Sequence, residues 1–447
     1  MMRRLLATAA RFSLATLLLA SSGVAYCEEE AFSKWAAAHA LPLATVEPGD
    51  DFSDLLPLKS VVGTARVVAL GEPMHGAHEP VAFRNRLFRF LVEQMGFTAI
   101  ALETGFTESS SVDSFVGGGP GEAQSVLPKG LARYSENREL IQWMRDYNAA
   151  AGHHRIRYYG FDLSFGGRVG GPRSALDYAL AYLSGADAAD ADNIRSSLGD
   201  ALPSPDDGKM GMLSQPALAV LDGTIPKIAK AMAKNRRALI AHSSVEEYGW
   251  ALHNLEVARQ LAKCFHLTTP QSFHDIQYSA PVMNCRDHAM AENVGWIVKN
   301  EGPKGRVLLF GHDGHIMNVK EESNRMAKVR DKPFAMGFHL RRAFGKRLLI
   351  IAISSASTSG GLPTPHPAVD GIDDALARVG MPRMFLDLRM ARQDPAALAW
   401  LSRKHPMMGE TNSLITPSTA ADAFVYVDRL TPAIQSADKA TSHSERP

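Results

Sequence analysis

The sequence predicts an α/β fold, with a mostly parallel central sheet flanked by helices and an inserted helical lobe beside the active-site cleft. Two observations carry this prediction. Short apolar runs of strand type end in glycine or a charged residue: Val67–Leu70 in Gly71-Glu72, Thr98–Leu102 in Glu103, Arg155–Tyr159 in Gly160-Phe161-Asp162, and Arg306–Phe310 in Gly311-His312. Stretches of helical periodicity separate them, and from Arg173 to about Leu267 the chain is Ala/Leu-rich without strand runs, which reads as the lobe. In an open α/β sheet ligands bind beyond the carboxyl ends of the strands, so residues far apart in sequence are expected to meet in one cleft.

Taken in order, Met1 to about Ala25 reads as a secretory signal peptide, with Arg3 and Arg4 as its basic start and Phe12–Ala20 as its apolar stretch. That stretch is too short to span a bilayer. Tyr26 is bulky where a lipobox carries a small residue before its cysteine, so release is expected rather than lipidation at Cys27, and twin-arginine export is the lesser route. The expected location is periplasmic or secreted, with no membrane attachment in the mature form. Residues 28–165 are expected to form the first part of the α/β core, 166–280 the helical lobe, 281–435 the second part of the core, and 436–447 a disordered tail.

Within the first part, Glu28 to about Pro48 predicts an exposed helix over one edge. His78–Gly96 predicts a helix from Phe83, Leu87, Phe90, Leu91 and Met95 at 3.6-type spacing. Thr104–Pro128, with Gly117-Gly118-Gly119, reads as a long functional loop. Asn137–Ala150 reads as a helix. In the second part, Arg286–Lys299 is helical, Lys346–Ile353 is a buried strand, and Phe385–Arg389 and Ala423–Arg429 are strand-like.

The chain has 447 residues, 45% hydrophobic and 21% charged, enough for a large core and two lobes. A net charge of +1 without a clustered basic face argues against a polyanionic partner such as nucleic acid, and a small, weakly charged substrate fits better. Cys264 and Cys285 lie in the folded body; the expected compartment permits a disulfide, while their apolar helical surroundings equally suit two buried thiols.

No Gly-x-Ser-x-Gly elbow, phosphate loop or His-Glu-x-x-His helix is present. What remains is a set of histidines and carboxylates at the strand ends: Glu72 with His75, Glu103, and His312 with His315. Each i, i+3 pair shares a face where its turn becomes helical. A histidine whose tautomer is fixed by a carboxylate takes a proton from water near neutral pH, and a guanidinium such as Arg84 stabilises the oxyanion that follows. By residue type alone, the same groups also suit a metal. Asp162 reads as a supporting carboxylate, and His153-His154 precede a strand, at the wrong edge.

Leu70-Gly-Glu-Pro-Met-His-Gly-Ala-His-Glu79 with Arg84, Gly96–Glu103, Tyr159-Gly-Phe-Asp162, Arg286-Asp-His-Ala-Met-Ala-Glu-Asn293 with Trp296, and Gly311-His-Asp-Gly-His-Ile316 together resemble the erythromycin esterase family, over about Val61 to Pro432. The resemblance implies hydrolysis of a macrolide lactone ester by a water-activating histidine centre, without covalent intermediate or metal, in an α/β core with a helical lobe beside the cleft. It places Glu72, His75, Arg84, Glu103, His312 and His315 on the family's active-site positions. His75 or His312 would be the base, Arg84 and His315 would polarise the carbonyl, and Glu72 and Glu103 would orient the imidazoles. Asp313 and Gly314 stand where the family's loop often has Asn-Ala, which adds a carboxylate between the imidazoles. The expected protein is thus an esterase acting on a lactone or carboxylic ester, without cofactor, and macrolide resistance is the implied role. The rival expectations are a metal-dependent hydrolase and a haem- or metal-binding periplasmic protein of related fold.

Overall fold

The computed structural model describes residues 28–163, 171–199, 202, 213–268, 279–320, 333–363, 371–409 and 413–435. The expected signal peptide, Cys27, most of the break at 201–208 and the expected tail lie outside the described residues. The principal sheet has eight strands: β1 (Leu41–Pro42), β2 (Val67–Glu72), β3 (Ala99–Gly105), β4 (Arg157–Asp162), β5 (Val307–His312), β6 (Leu348–Thr358), β7 (Arg383–Asp387) and β10 (Ala423–Leu430). Their order is β1-β7-β10-β6-β2-β5-β3-β4. From β10 to β4 all neighbours are parallel, and β7 joins β10 and β1 antiparallel at the other edge. A small hairpin pairs β8 (His405–Met407) with β9 (Ser413–Ile415).

Because successive side chains of a strand face opposite ways, the unbroken apolar runs feed two separate cores. Val68, Leu70, Ile100, Leu102, Leu308 and Phe310 pack with Phe83, Leu87, Phe90 and Leu91 of helix His78–Met95 and with Leu140, Ile141 and Met144 of helix Ser135–Ala149. Each such side chain, fully buried, contributes roughly 1.5–3 kcal/mol relative to exposure. Val67, Ala69, Ala99, Ala101, Val307 and Leu309 face the other core, which the helices between β4 and β5 help build: Gly171–Ser184, Ala188–Leu198, Gln215–Lys234, Val245–Phe265 and Ala280–Asn300. Among the described residues no helix is long and apolar enough to cross a membrane.

Two expectations are corrected, and one open alternative is resolved. Thr104–Pro128 is not a long loop: Phe106–Val116 is helical, burying Phe106, Val112, Phe115 and Val116 at helical spacing beneath a Ser-rich outer face. The glycines that follow end that helix. The helix over 28–39 is anchored rather than exposed, with Phe32 and Trp35 buried and Phe32 stacked on Trp400. Cys264 and Cys285 form a disulfide joining helices Val245–Phe265 and Ala280–Asn300.

Candidate active site

Glu72, Glu103, Asp162 and His312 stand at the carboxyl ends of strands β2, β3, β4 and β5, which are adjacent in the sheet, and Glu72 is in register with His312. Past Glu72 the chain turns through Gly76, whose φ of +79° suits glycine. A side chain there would also meet the Tyr134 hydroxyl 2.8 Å from its Cβ. The turn brings His75 Nδ1 to 2.6 Å from Glu72 Oε1. Glu72 is buried, while the His75 side chain is 52% exposed. With Nδ1–H donating its hydrogen bond to the carboxylate, Nε2 is the basic nitrogen of the ring.

His312 is 5.3 Å from His75, centroid to centroid. It caps the short helix Asp313–Ile316, its Nδ1 accepting the Gly314 N–H at 3.1 Å, so the neutral ring carries its proton on Nε2. His312 is therefore set up to donate where His75 is set up to accept.

Arg84 is 1% exposed on helix His78–Met95. It donates to Asn85 Oδ1 and Asn137 Oδ1 at 2.7 and 2.9 Å and lies over the Phe310 ring at 4.9 Å. Among the described residues it forms no ion pair, and burial pulls its guanidinium down to about 10. Glu72, His75, Arg84 and Glu103 line one cavity of about 280 Å³, together with Val81, Leu102, Leu131, Arg133, Tyr134, Asn137 and Phe310.

Beneath the cleft lies a buried ionic network centred on Arg286. Its guanidinium donates to both oxygens of Asp162 at 2.9 and 2.7 Å, to Glu103 Oε1 at 3.0 Å, and reaches His315 Nε2 at 3.0 Å. His315 Nδ1 is 2.7 Å from Asp287 Oδ1, whose carboxylate also accepts the Met336 N–H. Burial works against both charges, raising the pKa of Glu103 and lowering that of His315. The surrounding groups outweigh it: His315, His75, Arg286 and the His312 N–H hold Glu103 well below the usual carboxylate range, and Asp287 and Glu103 raise His315. Glu103 thus clamps the His312 main chain at 2.7 Å and also faces the His315 ring, with Oε1 3.4 Å from Nε2. His315, with both ring nitrogens engaged, is an anchor of this network and does not line the cavity.

Asp313 does not point between the imidazoles. Its carboxyl is buried against Gly71, where a Cβ would come within 1.8 Å of Oδ1, and burial raises its pKa far above the carboxylate range. Burial disfavours its charged form, so it adds no carboxylate between the imidazoles. Among the described residues no group of three or more His, Cys, Asp and Glu side chains is placed to hold a metal.

The neighbouring His78 is taken out of the cleft by two carboxylates, Glu136 at 2.6 Å and Glu47 at 2.8 Å, and Glu79 binds Thr431 rather than Arg84. Residues Thr431–Gln435 run as a strap between the His75 turn and the start of helix Ser135–Ala149. The strap's bonds are His78 N to Thr431 O, Ala433 N to Gly76 O, Ser135 N to Ile434 O and Ile434 N to Glu136 Oε1.

Sequence reasoning placed Arg286 and Asp287 in the family's motif without giving them a role, and missed Asn137, Tyr134 and the strap. One signal was present. Arg286 falls in the stripe of Val282, Cys285, Ala289, Met290 and Asn293, the buried side of its helix, where a charge needs a partner.

A model of the family described as "Erythromycin esterase" matches residues 92–430. Erythromycin esterase type II of Escherichia coli is 24% identical over 344 residues, covering 76% of this chain and 80% of its own. The putative hydrolase YbfO of Bacillus subtilis is 21% identical over 447 residues, covering 93% and 94%. Among solved structures, a Bacillus cereus protein superposes with a TM-score of 0.77 at 25% identity, covering 91% of this chain and 98% of its own. A mutant erythromycin esterase in its open conformation gives 0.65 at 20% identity, covering 87% and 97%, a likeness of fold.

Proposed function

The chain belongs to the erythromycin esterase family, and from that membership we propose that it hydrolyses a carboxylic ester or lactone with water activated at His75. The observation that carries this reading is the Glu72–His75 pair at 2.6 Å, opening on a cavity that also holds Arg84, a buried guanidinium with no carboxylate partner among the described residues. His75 Nε2 takes a proton as the water oxygen bonds to the carbonyl carbon. Glu72, still ionised, stabilises the imidazolium through Nδ1–H. The carbonyl π electrons move onto oxygen, and that oxyanion faces the Arg84 guanidinium, which lines the same cavity as His75. The intermediate collapses, the alkoxide leaves with the proton from His75, and a carboxylic acid and an alcohol result; a lactone gives one hydroxy acid. No acyl-protein forms.

Glu103 and His315 belong to this site as positioning groups. Glu103 holds the His312 main chain, while Arg286 holds Glu103 and Asp287 holds His315 in place. General base catalysis of this kind is worth about 10²–10⁴-fold, and one well-placed oxyanion donor about 10²–10³-fold.

A macrolide lactone is one candidate substrate, from the name of the Escherichia coli relative. Export is proposed from the signal-like start, and the Cys264–Cys285 disulfide supports it. Interception of a macrolide outside the cytoplasm is the resistance role this would serve. The test is a panel of macrolides, simple esters and lactones, scored by mass spectrometry for gain of one water with wild type and His75→Ala. Turnover that disappears in the variant supports the reading, and turnover that survives refutes the site.

A further inference from the structure

The cavity in the cleft is small, and its walls are mostly apolar, with Arg133, Tyr134 and Asn137 as the polar residues besides the reacting groups. Leu102 and Phe310, 3% and 5% exposed, are register partners on β3 and β5. They form a fixed wall that Val81 extends from helix His78–Met95. Leu131, on the short helix Lys129–Ala132, also lines it, beside Gly130, which adds no side chain. This apolar space ends at the Glu72–His75 pair and at Arg84, whose guanidinium lies over the Phe310 ring. The ester carbonyl and the group attached to it must share a volume of about 280 Å³. At about 30 Å³ for a water-sized group, such a space takes roughly nine non-hydrogen atoms. A macrolide carrying its sugars is far larger and places only an edge in it.

We propose that the substrate presents a compact apolar acyl group, as in a short-chain carboxylic ester or a small lactone, and that Leu131 sets its length limit. Resting on the hydrolytic reading of the same site, this names the class of substrate the cavity selects. The acyl chain lies along Leu102 and Phe310 with its far end against Leu131, and the alcohol portion leaves towards solvent on the side of the half-exposed His75.

The test is a homologous series of p-nitrophenyl esters from acetate to dodecanoate, with a macrolide alongside, read as kcat/KM. Selectivity is expected to peak at about four to eight acyl carbons, the length that fills this space, and to fall at least about tenfold by dodecanoate. Leu131→Trp is expected to shift the optimum towards acetate, raising the acetate-to-octanoate ratio about tenfold, and Leu131→Ala to shift it the other way. Binding of alkyl trifluoromethyl ketones of the same lengths, followed by thermal shift, reads the pocket without turnover and shows that each variant is folded. A flat length profile, an unchanged profile in Leu131→Trp, or a macrolide turned over as well as the best small ester overturns the proposal, although hydrolysis would stand. Length-limited ketone binding with no turnover of any ester supports the pocket and sinks the hydrolytic reading instead.

Discussion

Replacing Glu72 by glutamine keeps the shape of the side chain and removes its charge from the 2.6 Å contact with His75. Its weight is felt in the transition state, when His75 becomes an imidazolium. Two opposite charges with centres about 4 Å apart attract by about 4 kcal/mol at an effective dielectric near 20. The His75 side chain is 52% exposed, so solvent screening brings the usable part to about 2–3 kcal/mol. At 1.36 kcal/mol per decade, kcat should fall about 30- to 150-fold. The KM is expected to stay within about threefold, since Glu72 serves chiefly the charge that develops on His75 in the transition state. The assay is steady-state turnover of the best ester from the panel, with a thermal melt to show that Glu72→Gln is folded. A variant that keeps its kcat within a factor of two would refute the assignment of Glu72 as the partner of the base.

Four further outcomes follow from the same geometry. Arg84→Met should lose at least about 10²-fold in turnover. Its melting temperature should hold within a few degrees, because the buried cation it removes has no carboxylate partner among the described residues to offset its desolvation; a large destabilisation in calorimetry would contradict this. His78 is raised to about 9, chiefly by its hydrogen bond to Glu136 and then by Glu47, against an unfolded value of about 6.5. A raised pKa means its stabilisation is complete below pH 6.5 and lost as pH climbs through 9, about 1–2 kcal/mol after discounting for solvent at this partly buried site. Urea melts across that window should show the loss in wild type and a flatter profile in His78→Gln. The disulfide closes a loop with a sequence separation of 21, worth about 3 kcal/mol, so a Cys264→Ser/Cys285→Ser variant should melt lower, and an equal melt would argue against the bond. Ala433→Pro removes the donor to Gly76 O. It should lower kcat more than ten-fold with a folded melt, since the strap holds the His75 turn; unchanged kcat would make the strap mere packing.

The parts of this molecule that rest on simple periodicity were legible in the sequence. Val67–Leu70, Thr98–Leu102 and Arg306–Phe310 are apolar on both faces because helices cover both faces of the sheet, and their polar endings fall on one edge because the strands are parallel. That pattern alone brings Glu72, Glu103 and His312 to one edge. Phe106–Val116 was hidden because its serines and flanking glycines resemble a loop, while the four buried apolar positions that decide the matter are spread over three turns. Cys264 and Cys285 were ambiguous because a helical context says nothing of which helix lies opposite. Arg286 was hardest to read, since a charge on a helix is ordinarily solvated and only its position within a buried stripe marks it out. The tertiary partners Asp162, Glu103 and His315, brought in from three other segments, explain why it is buried. Asp313 ran the other way: a carboxyl between two histidines reads as functional, yet its side chain turns into the sheet against Gly71.

The most direct test of water activation at His75 is a rapid-quench experiment with the best ester substrate, following product and the intact mass of the protein together in wild type and His75→Ala. Direct attack by water predicts product from wild type at every time point with the protein mass unchanged, and a loss of about 10²-fold or more in the variant. A protein carrying the mass of the acyl group, or a His75→Ala variant as fast as wild type, would contradict it.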